Sequence, residues 1–502
     1  MKEVVLTSRQ MRLCDEHTIN ARGVPSLVLM ERAADAVVDN IINEGFDISN
    51  TVVVCGGGNN GGDGFAAARF LSEAARRTGA DARIRCFFAG GGEDASEQCT
   101  YQRAMAEKSG IEEMSSFDAQ GVTLIIDALF GIGLSRPVEG EYKAVVDAIN
   151  ASGAKVVSVD IPSGINASSG EVMGVAVKAD LTVTMSCYKL GQLLYPGAEK
   201  CGKLIKADIG IGTEAVSADF VAETAVGGAP VKLKARKPDS NKGDYGCVLV
   251  VGGAKGMAGA AYLAALSAYR CGAGLVRIFT CEENRAIIQG LLPEAVLTVY
   301  NAESEIETLL SDALERASSV VIGPGLSKSK EAVLQLETVL NNASCPIVAD
   351  ADALNILAER KDLFGKVKGK MIITPHMGEM SRLTGESVGK LKANAISAAK
   401  DFASEHGIVC CMKDARTVIS DGERAYVNVT GTSGLSKGGS GDVLSGIIGA
   451  FAATGMDLYD SACLGSYLHG RAGELASRKL TEYSLLARDI ADHLSEAINE
   501  SL

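Results

Sequence analysis

Short, mostly apolar runs recur along this chain, separated by longer stretches in which apolar residues return every three or four positions. In the first half the runs are Thr51–Cys55, Ala82–Phe88, Val122–Ile126 and Lys155–Val159. In the second they are Cys247–Val251, Gly274–Cys281, Ser318–Ile322, Pro346–Ala349, Met371–Ile373 and Gly407–Met412. Runs that are apolar on both faces predict strands of parallel sheets packed between helices, and the longer spacing predicts those helices. Residues 7–46 read as helical, with a helix around Leu27–Ile42, and Thr7-Ser8-Arg9-Gln10 has the form of a capping box. Phe65–Arg77 and Ala261–Cys271 are further helices. Cys410 and Cys411 share a strand and should face opposite ways. Thr417–Val429 reads as a hairpin turning at Asp421-Gly422. The alternation predicts an α/β fold with two doubly wound domains, and 502 residues suit two domains better than one. Ile209-Gly210-Ile211-Gly212 closes the first pattern. Gly227-Gly228-Ala229-Pro230 and the basic run Lys232–Lys237 follow, placing the join near residue 220 and the domains at 1–220 and 221–502.

Composition narrows the partners. A net charge of −13 argues against nucleic acid or an anionic membrane as partner. No apolar run is long enough to span a bilayer, and the residues after Met1 lack the apolar centre of a signal peptide, so the expected location is cytoplasmic. The 13 cysteines are scattered without a C-x-x-C, which predicts small buried hydrophobes in a reducing compartment. The 5 histidines show no metal-ligand spacing, and only His376 sits in a motif.

Two glycine-rich turns carry the candidate chemistry. Ser436-Lys437-Gly438-Gly439-Ser440-Gly441-Asp442 leads straight into a helical pattern. Amides of such a turn converge and the helix dipole adds positive potential, which makes a phosphate pocket. Asp442 opposes phosphate there. It reads either as a helix cap or, preferably, as the base that deprotonates the group to which phosphorus moves. The other turn, Gly56–Gly64, formally satisfies G-x-G-x-x-G at Gly56, Gly58 and Gly61. A hydride-transfer fold also wants an acid at the end of the second strand, where Phe87-Phe88-Ala89-Gly90 has none. Asp63 would moreover crowd a pyrophosphate. Two later strands end in Asp127 and Asp160, which puts both carboxylates at the mouth of one crevice. Asn60, Asp127 and Ser163 offer only oxygen donors and suit a hard cation rather than zinc. Arg136 is the natural partner for a ligand phosphate.

The turn G-G-G-N-N-G-G-D-G, the loop L-F-G-I-G-L-S-R-P and the segment V-D-I-P-S-G together resemble the NAD(P)H-hydrate epimerase domain, Rossmann-like in fold, from about Thr7 to Gly212. The resemblance implies substrate contacts from Asn59, Asn60, Gly61, Gly62 and Asp63, and from the loop Gly131, Ile132, Gly133, Leu134, Ser135, Arg136 and Pro137. Tyr142 and Asp160 complete that set. It also implies potassium on Asn60, Asp127 and Ser163, with Asp127 doubling as the acid–base group. Lys189 ranks as a lesser candidate, because a solvated surface lysine is the commoner case.

In the second half, N-K-G-D-Y-G, G-M-A-G-A, D-A-D-A-L-N, H-x-G-E at His376–Glu379 and G-G-S-G-D-V-L-S-G resemble the ribokinase-like NAD(P)H-hydrate dehydratase over residues 236–500. That resemblance implies a hydrate held by Ala260, Gly325, His376 and Asp442. It implies ADP or ATP, with magnesium, held by Lys413, Asp414, Ala415, Arg416 and Thr417 and by Gly438, Gly439, Ser440 and Gly441. Asp414 departs from the glycine that many members carry. The implied activity is repair of hydrated NADH and NADPH. The first half exchanges the R and S forms at C6. The second dehydrates the S form at the expense of ADP or ATP, with Asp442 as its base. A homo-oligomer, a tetramer or larger, is also implied. Two other readings remain open: a vitamin or sugar kinase with a nucleotide-sensing first half, and a first half that only binds or scaffolds. His376 speaks against the first, and intact Asn60, Asp127, Asp160 and Ser163 against the second.

Overall fold

The computed structural model describes residues 2–90, 95–217, 220–366 and 369–502. The chain divides into two compact units, Val4–Val221 and Ala222–Leu502, the latter taking in Met1–Glu3.

In the first unit a seven-stranded sheet runs in the order Glu112–Met114, Arg83–Phe88, Asn50–Cys55, Leu124–Ala128, Lys155–Val159, Leu181–Met185, Lys203–Ala207. Every neighbouring pair is parallel. Val53, Cys55, Leu124 and Ile126 pack into one core, and Val52, Val54 and Ile125 into another. Both sheet faces are therefore covered, which is why these strands lack a polar alternation. Strand order reverses between Asn50–Cys55 and Leu124–Ala128, and the crevice of such a sheet opens there. Thr7 forms the capping box at the start of helix Ser8–Asn20, as the sequence predicted.

The first glycine turn differs from its expectation. The helix begins at Asn59 and runs to Thr78, so Gly61, Gly62 and Gly64 lie inside it. Their reason is close packing. A Cβ on Gly61 would stand 1.8 Å from the Gly56 carbonyl oxygen, and one on Gly64 2.6 Å from the Ala128 Cβ. The helix N-terminus is thereby pressed onto the strand ends.

In the second unit parallel strands run in the order Val296–Tyr300, Leu275–Cys281, Cys247–Val251, Ser319–Ile322, Ile347–Ala349, Met371–Ile373, Val409–Met412. Val418–Ser420 and Ala425–Val427 then add the antiparallel hairpin, whose turn is braced by Arg424 N–H donating to Asp421 Oδ1 at 2.7 Å. Cys410 and Cys411 join cores on opposite faces. Helix Ser440–Ala453 lies flush on helix Ala258–Arg270, because a Cβ on Gly446 would stand 2.1 Å from the Ala264 carbonyl oxygen. That contact seats the second glycine loop at the carboxyl ends of the strands. Among the described residues no helix is long and apolar enough to cross a membrane.

Candidate functional site

A cavity of about 870 Å³ opens at the carboxyl ends of the first unit's strands. Asn59, Asn60 and Asp63 line it from the helix start, with the Gly131–Arg136 loop, Tyr142 and Asp160 around them. Gly61, Gly62 and Pro137 are not among its lining residues; the two glycines serve the packing just described. Arg12 and Asp15 of the first helix also line it, and no motif marked them.

Asp160 follows the strand Lys155–Val159 with φ of 65°, in the left-handed region. The neighbours hold it there. Its Oδ1 accepts from Met185 N–H at 3.1 Å, its carbonyl accepts from Gln192 Nε2 at 2.6 Å, and its carboxylate pairs with the Lys189 ammonium. Lys189 also donates to Thr184 Oγ1 at 2.8 Å and the Met185 carbonyl at 3.1 Å. The ranking of Lys189 as a solvated lysine is thus corrected: its side chain is 0% exposed and all three ammonium protons have acceptors. A buried ion pair on a cavity wall is an acid–base candidate in its own right. Asp63 faces the same space. Burial, then the Asp160 and Asp15 carboxylates, push its pKa well above the usual carboxylate range.

Asp127 lies elsewhere. It is 0% exposed, and it is not a lining residue. Its Oδ2 accepts from Ser158 Oγ at 2.8 Å and Ser163 N–H at 2.9 Å, its Oδ1 from Ser163 Oγ at 2.5 Å. With its oxygens engaged by these donors and no place in the cavity lining, Asp127 stands apart from Asp63 and Asp160, which do line it. Its donors, the Ser158 and Ser163 hydroxyls and the Ser163 and Leu129 amides, are all neutral. Asn60 Nδ2 is buried without a partner. Turning that amide, whose O and N atoms are interchangeable by shape, offers an oxygen instead. Asn60, Asp127 and Ser163 thus offer oxygen donors, which suit a hard cation.

The second unit is built around another buried pair. Asp350, at the end of strand Ile347–Ala349, is 2% exposed in its side chain and accepts from Lys413 Nζ at 2.8 Å. Burial pulls the Lys413 pKa down, but Asp350 and Glu379 outweigh it and the net shift is upward. A Cβ on Gly441 would stand 3.3 Å from Lys413 Nζ and 3.4 Å from Asp350 Oδ2, so the first turn of helix Ser440–Ala453 rests on the pair. Gly439 enters that helix at φ 92°, where glycine is favoured. The first bond of the ladder is Val443 N–H to the Gly439 carbonyl at 3.1 Å. The amides of Gly441 and Asp442 precede it and face outward with the dipole's positive end. Asp442 stands among them. Burial first, then Asp350, push its pKa up to about 7, against the pull of Lys413.

His376 is both cap and candidate ligand. Its Nδ1 accepts from Gly378 N–H at 2.9 Å and Glu379 N–H at 3.4 Å, while Glu379 Oε2 accepts from His376 N–H at 2.8 Å. An accepting Nδ1 carries no proton, so the neutral ring holds its proton on Nε2. Burial, then Lys413, lower the pKa of the ring. The cap thus leaves Nε2 as the donor of the neutral ring, 3.5 Å from Glu379 Oε1. Ala260 and Gly325 meet, a Cβ on Gly325 standing 3.0 Å from the Ala260 Cβ. Asp414 is paired with Lys392 at 3.1 Å, and Arg416 donates to the Val429 carbonyl at 2.7 Å.

Three residues of this site were not named as site residues from the sequence, although Asp350 and Glu379 lie in its D-A-D-A-L-N and H-x-G-E motifs. Asp350 ends a strand and could have been weighed as Asp127 was. Glu379 is buried beside His376, its pKa pushed up to about 7 by burial. His469, from helix Leu458–Ser484, has its Nε2 3.1 Å from Ser440 Oγ beside the second glycine loop, and burial drops its pKa to about 4. No motif marks it.

Both halves of the chain are similar to known proteins. Residues 248–496 match the family model described as NAD(P)H-hydrate dehydratase, and residues 26–191 match that of the YjeF-related protein N-terminus. The bifunctional NAD(P)H-hydrate repair enzyme of Thermofilum pendens is 36% identical over 97% of this chain and 95% of its own. That of Coxiella burnetii is 36% identical over 99% of each chain, and that of Escherichia coli 32% over 97% and 93%. Among solved structures, the ADP/ATP-dependent NAD(P)H-hydrate dehydratase of Bacillus subtilis, co-crystallised with ATP/Mg2+, is 30% identical. It covers 54% of this chain and 95% of its own with a TM-score of 0.47.

Proposed function

This chain belongs to the family of bifunctional NAD(P)H-hydrate repair enzymes, and from that premise we propose how its residues divide the work. The protein is an enzyme with an epimerase domain and an ADP/ATP-dependent dehydratase domain. Its substrates are the hydrates formed when water adds at C6 of the reduced nicotinamide ring.

The dehydratase site is the Asp442 loop. Hydroxide leaves the ring poorly, and a phosphoryl group on that oxygen converts it into a good leaving group. Asp442 takes the hydroxyl proton as the oxygen attacks the terminal phosphorus of ADP or ATP. The amides of Gly441 and Asp442 stabilise charge developing on the phosphoryl oxygens. Ring nitrogen electrons then expel phosphate, C5 gives up a proton, and the reduced ring is restored. The Nε2–H of His376 donates to the bound hydrate, while Ala260 and Gly325 form a close-packed wall. Lys413 and Asp350 hold the first helical turn in place. Magnesium fits as a companion of the nucleotide, with Asp350 and Asp442 the carboxylates at hand, and it would neutralise phosphate charge.

The epimerase site is the 870 Å³ cavity. Inversion at C6 needs the hydroxyl to leave one face and water to return on the other. Asp63, whose pKa is pushed up, gives a proton to the departing hydroxyl. Asp160, paired with Lys189, takes a proton from the incoming water, so one water leaves and one enters. Asn60, Asp127 and Ser163 would hold potassium, whose charge balances the buried Asp127 carboxylate. Arg136 takes a substrate phosphate. All 13 cysteines are free thiols, which supports work in the reducing cytosol.

The observation that carries this reading is Asp442, set beside the Asp350–Lys413 pair at the free amides of its helix. Purified protein is given both hydrate epimers, potassium, magnesium and ADP or ATP, and reduced-nicotinamide absorbance is followed. Asp442→Asn should stop recovery with either nucleotide. Turnover within tenfold of the parent protein would remove Asp442 from the chemistry.

A further inference from the structure

A second cavity, of about 460 Å³, is lined by Lys328, Asn355, Ala358, Glu359 and Arg382. No step proposed above uses it, yet its walls grow from the hydrate site. Lys328 follows Gly325 on the same loop. That loop is tied down by Ser327 N–H donating to Asp352 Oδ2 at 2.8 Å, and Asp352 opens the helix that carries Asn355 and Glu359. Arg382 lies on helix Met377–Thr384, the helix that His376 caps. Its guanidinium leans back along that helix. A Cβ on Gly378 would stand 3.8 Å from Arg382 Nη1 and 3.2 Å from His376 Nδ1, so cation and imidazole flank a single point.

The charges suit an anion. Arg382 Nε donates to Asn355 Oδ1 at 3.0 Å, which orients the guanidinium without neutralising it. Among the described residues Lys328 has a long exposed contact to Glu359, at 3.4 Å, and such pairs hold weakly. Two cations thus face the cavity against one carboxylate. The Arg382 field also lowers the pKa of the neighbouring His376 and Glu379, behind larger effects of burial and Lys413. A dinucleotide whose nicotinamide end meets His376 carries its pyrophosphate one sugar away, on the scale of one long side chain, and the 2′-phosphate of the NADP form farther out, on the adenosine ribose.

We propose that Lys328 and Arg382, oriented by Asn355, form an anion subsite for a phosphate of the hydrated dinucleotide distal to its ring. The inference rests on the dehydratase reading above. The phosphate is either the pyrophosphate, common to both substrates, or the 2′-phosphate of the NADP form.

The test measures KM and kcat of the full chain for the S hydrates of NADH and NADPH at saturating nucleotide. The variants are Lys328→Gln, Arg382→Gln and the double variant. Each single change should raise the hydrate KM about tenfold with kcat within twofold, as expected for one charge-assisted contact. The KM of the parent protein should climb with salt, and that slope should flatten in the double variant. An equal rise for both hydrates identifies the pyrophosphate, and a rise for the NADPH hydrate alone identifies the 2′-phosphate. Unchanged KM for both hydrates, or a rise in nucleotide KM instead, overturns the subsite and leaves the dehydratase reading standing. Should Arg382→Gln lose the fold, shown by its melting curve, exposed Lys328→Gln decides alone. If the parent protein turns over neither hydrate, the reading and the subsite fall together.

Discussion

Asp442 is the base of this account, and its pH behaviour can be worked from its surroundings. Its pKa stands near 7 because burial disfavours the charge, Asp350 adds repulsion, and Lys413 offsets only part of both. A base acts ionised, so kcat/KM should rise with pH, reach half its plateau near pH 7, and fall about tenfold per unit below that. Asp350→Asn alters this in one direction. It removes the nearest negative charge and leaves the Lys413 ammonium without its partner at 2.8 Å, and both changes favour ionised Asp442. Unit charges several ångströms apart interact by roughly 1–3 kcal/mol at a protein's effective dielectric. At about 1.4 kcal/mol per unit of pKa, the limb should move down by about one pH unit or more. Glu379 also titrates near 7, so Glu379→Gln is the control and should leave the limb in place. The assay is kcat/KM from pH 5 to 9 for parent, Asp350→Asn and Glu379→Gln, because kcat/KM reports groups of the free enzyme. A limb that stays put in Asp350→Asn, or disappears in Glu379→Gln, refutes the assignment.

The same shift has a sign in stability. Raised in the fold, the Asp442 carboxyl binds its proton more tightly there than in the unfolded chain, so stability falls as pH rises from the ordinary carboxyl range near 4 to about 7 and levels off above. Asp442→Asn should melt several degrees above the parent at pH 8, and the gap should narrow as pH falls from about 7 towards about 4, checked by calorimetry. Gly61→Ala should cost about 1–3 kcal/mol in a denaturant titration and impair epimerisation, because its Cβ would lie 1.8 Å from a carbonyl oxygen. Asp127→Asn should abolish potassium stimulation of epimerisation while leaving S-form dehydration intact; potassium activation equal to that of the parent would clear Asp127 of that role.

Much of the fold was legible because both sheet faces are buried, which leaves the strand runs without alternation. The first helix of the glycine turn was not. Gly61, Gly62 and Gly64 read as a turn, whereas they are helical and stripped of side chains so that backbone can touch backbone. Asp127 and Asp160 looked equivalent, both being acids at strand ends. What separates them is local: Asp127 is still within strand Leu124–Ala128, whereas Asp160 steps out of its strand at φ 65° to join the cavity wall. Lys189 was undervalued because its burial depends on Asp160, 29 residues away. His469 stands at the same remove from Ser440 on a helix without motif. Such pairings are set by tertiary packing and leave no local pattern to read.

The division of labour between the two sites is the central claim, and an epimer-resolved time course tests it most directly. Mixed R and S hydrates are given to the parent protein and to Lys189→Met with ADP or ATP, and each epimer is followed by chromatography. The parent should consume both to completion. Lys189→Met should consume the S form at the parental rate and leave the R form to its slow spontaneous exchange. Rapid loss of the R form in Lys189→Met, with its fold intact by circular dichroism, would contradict the account.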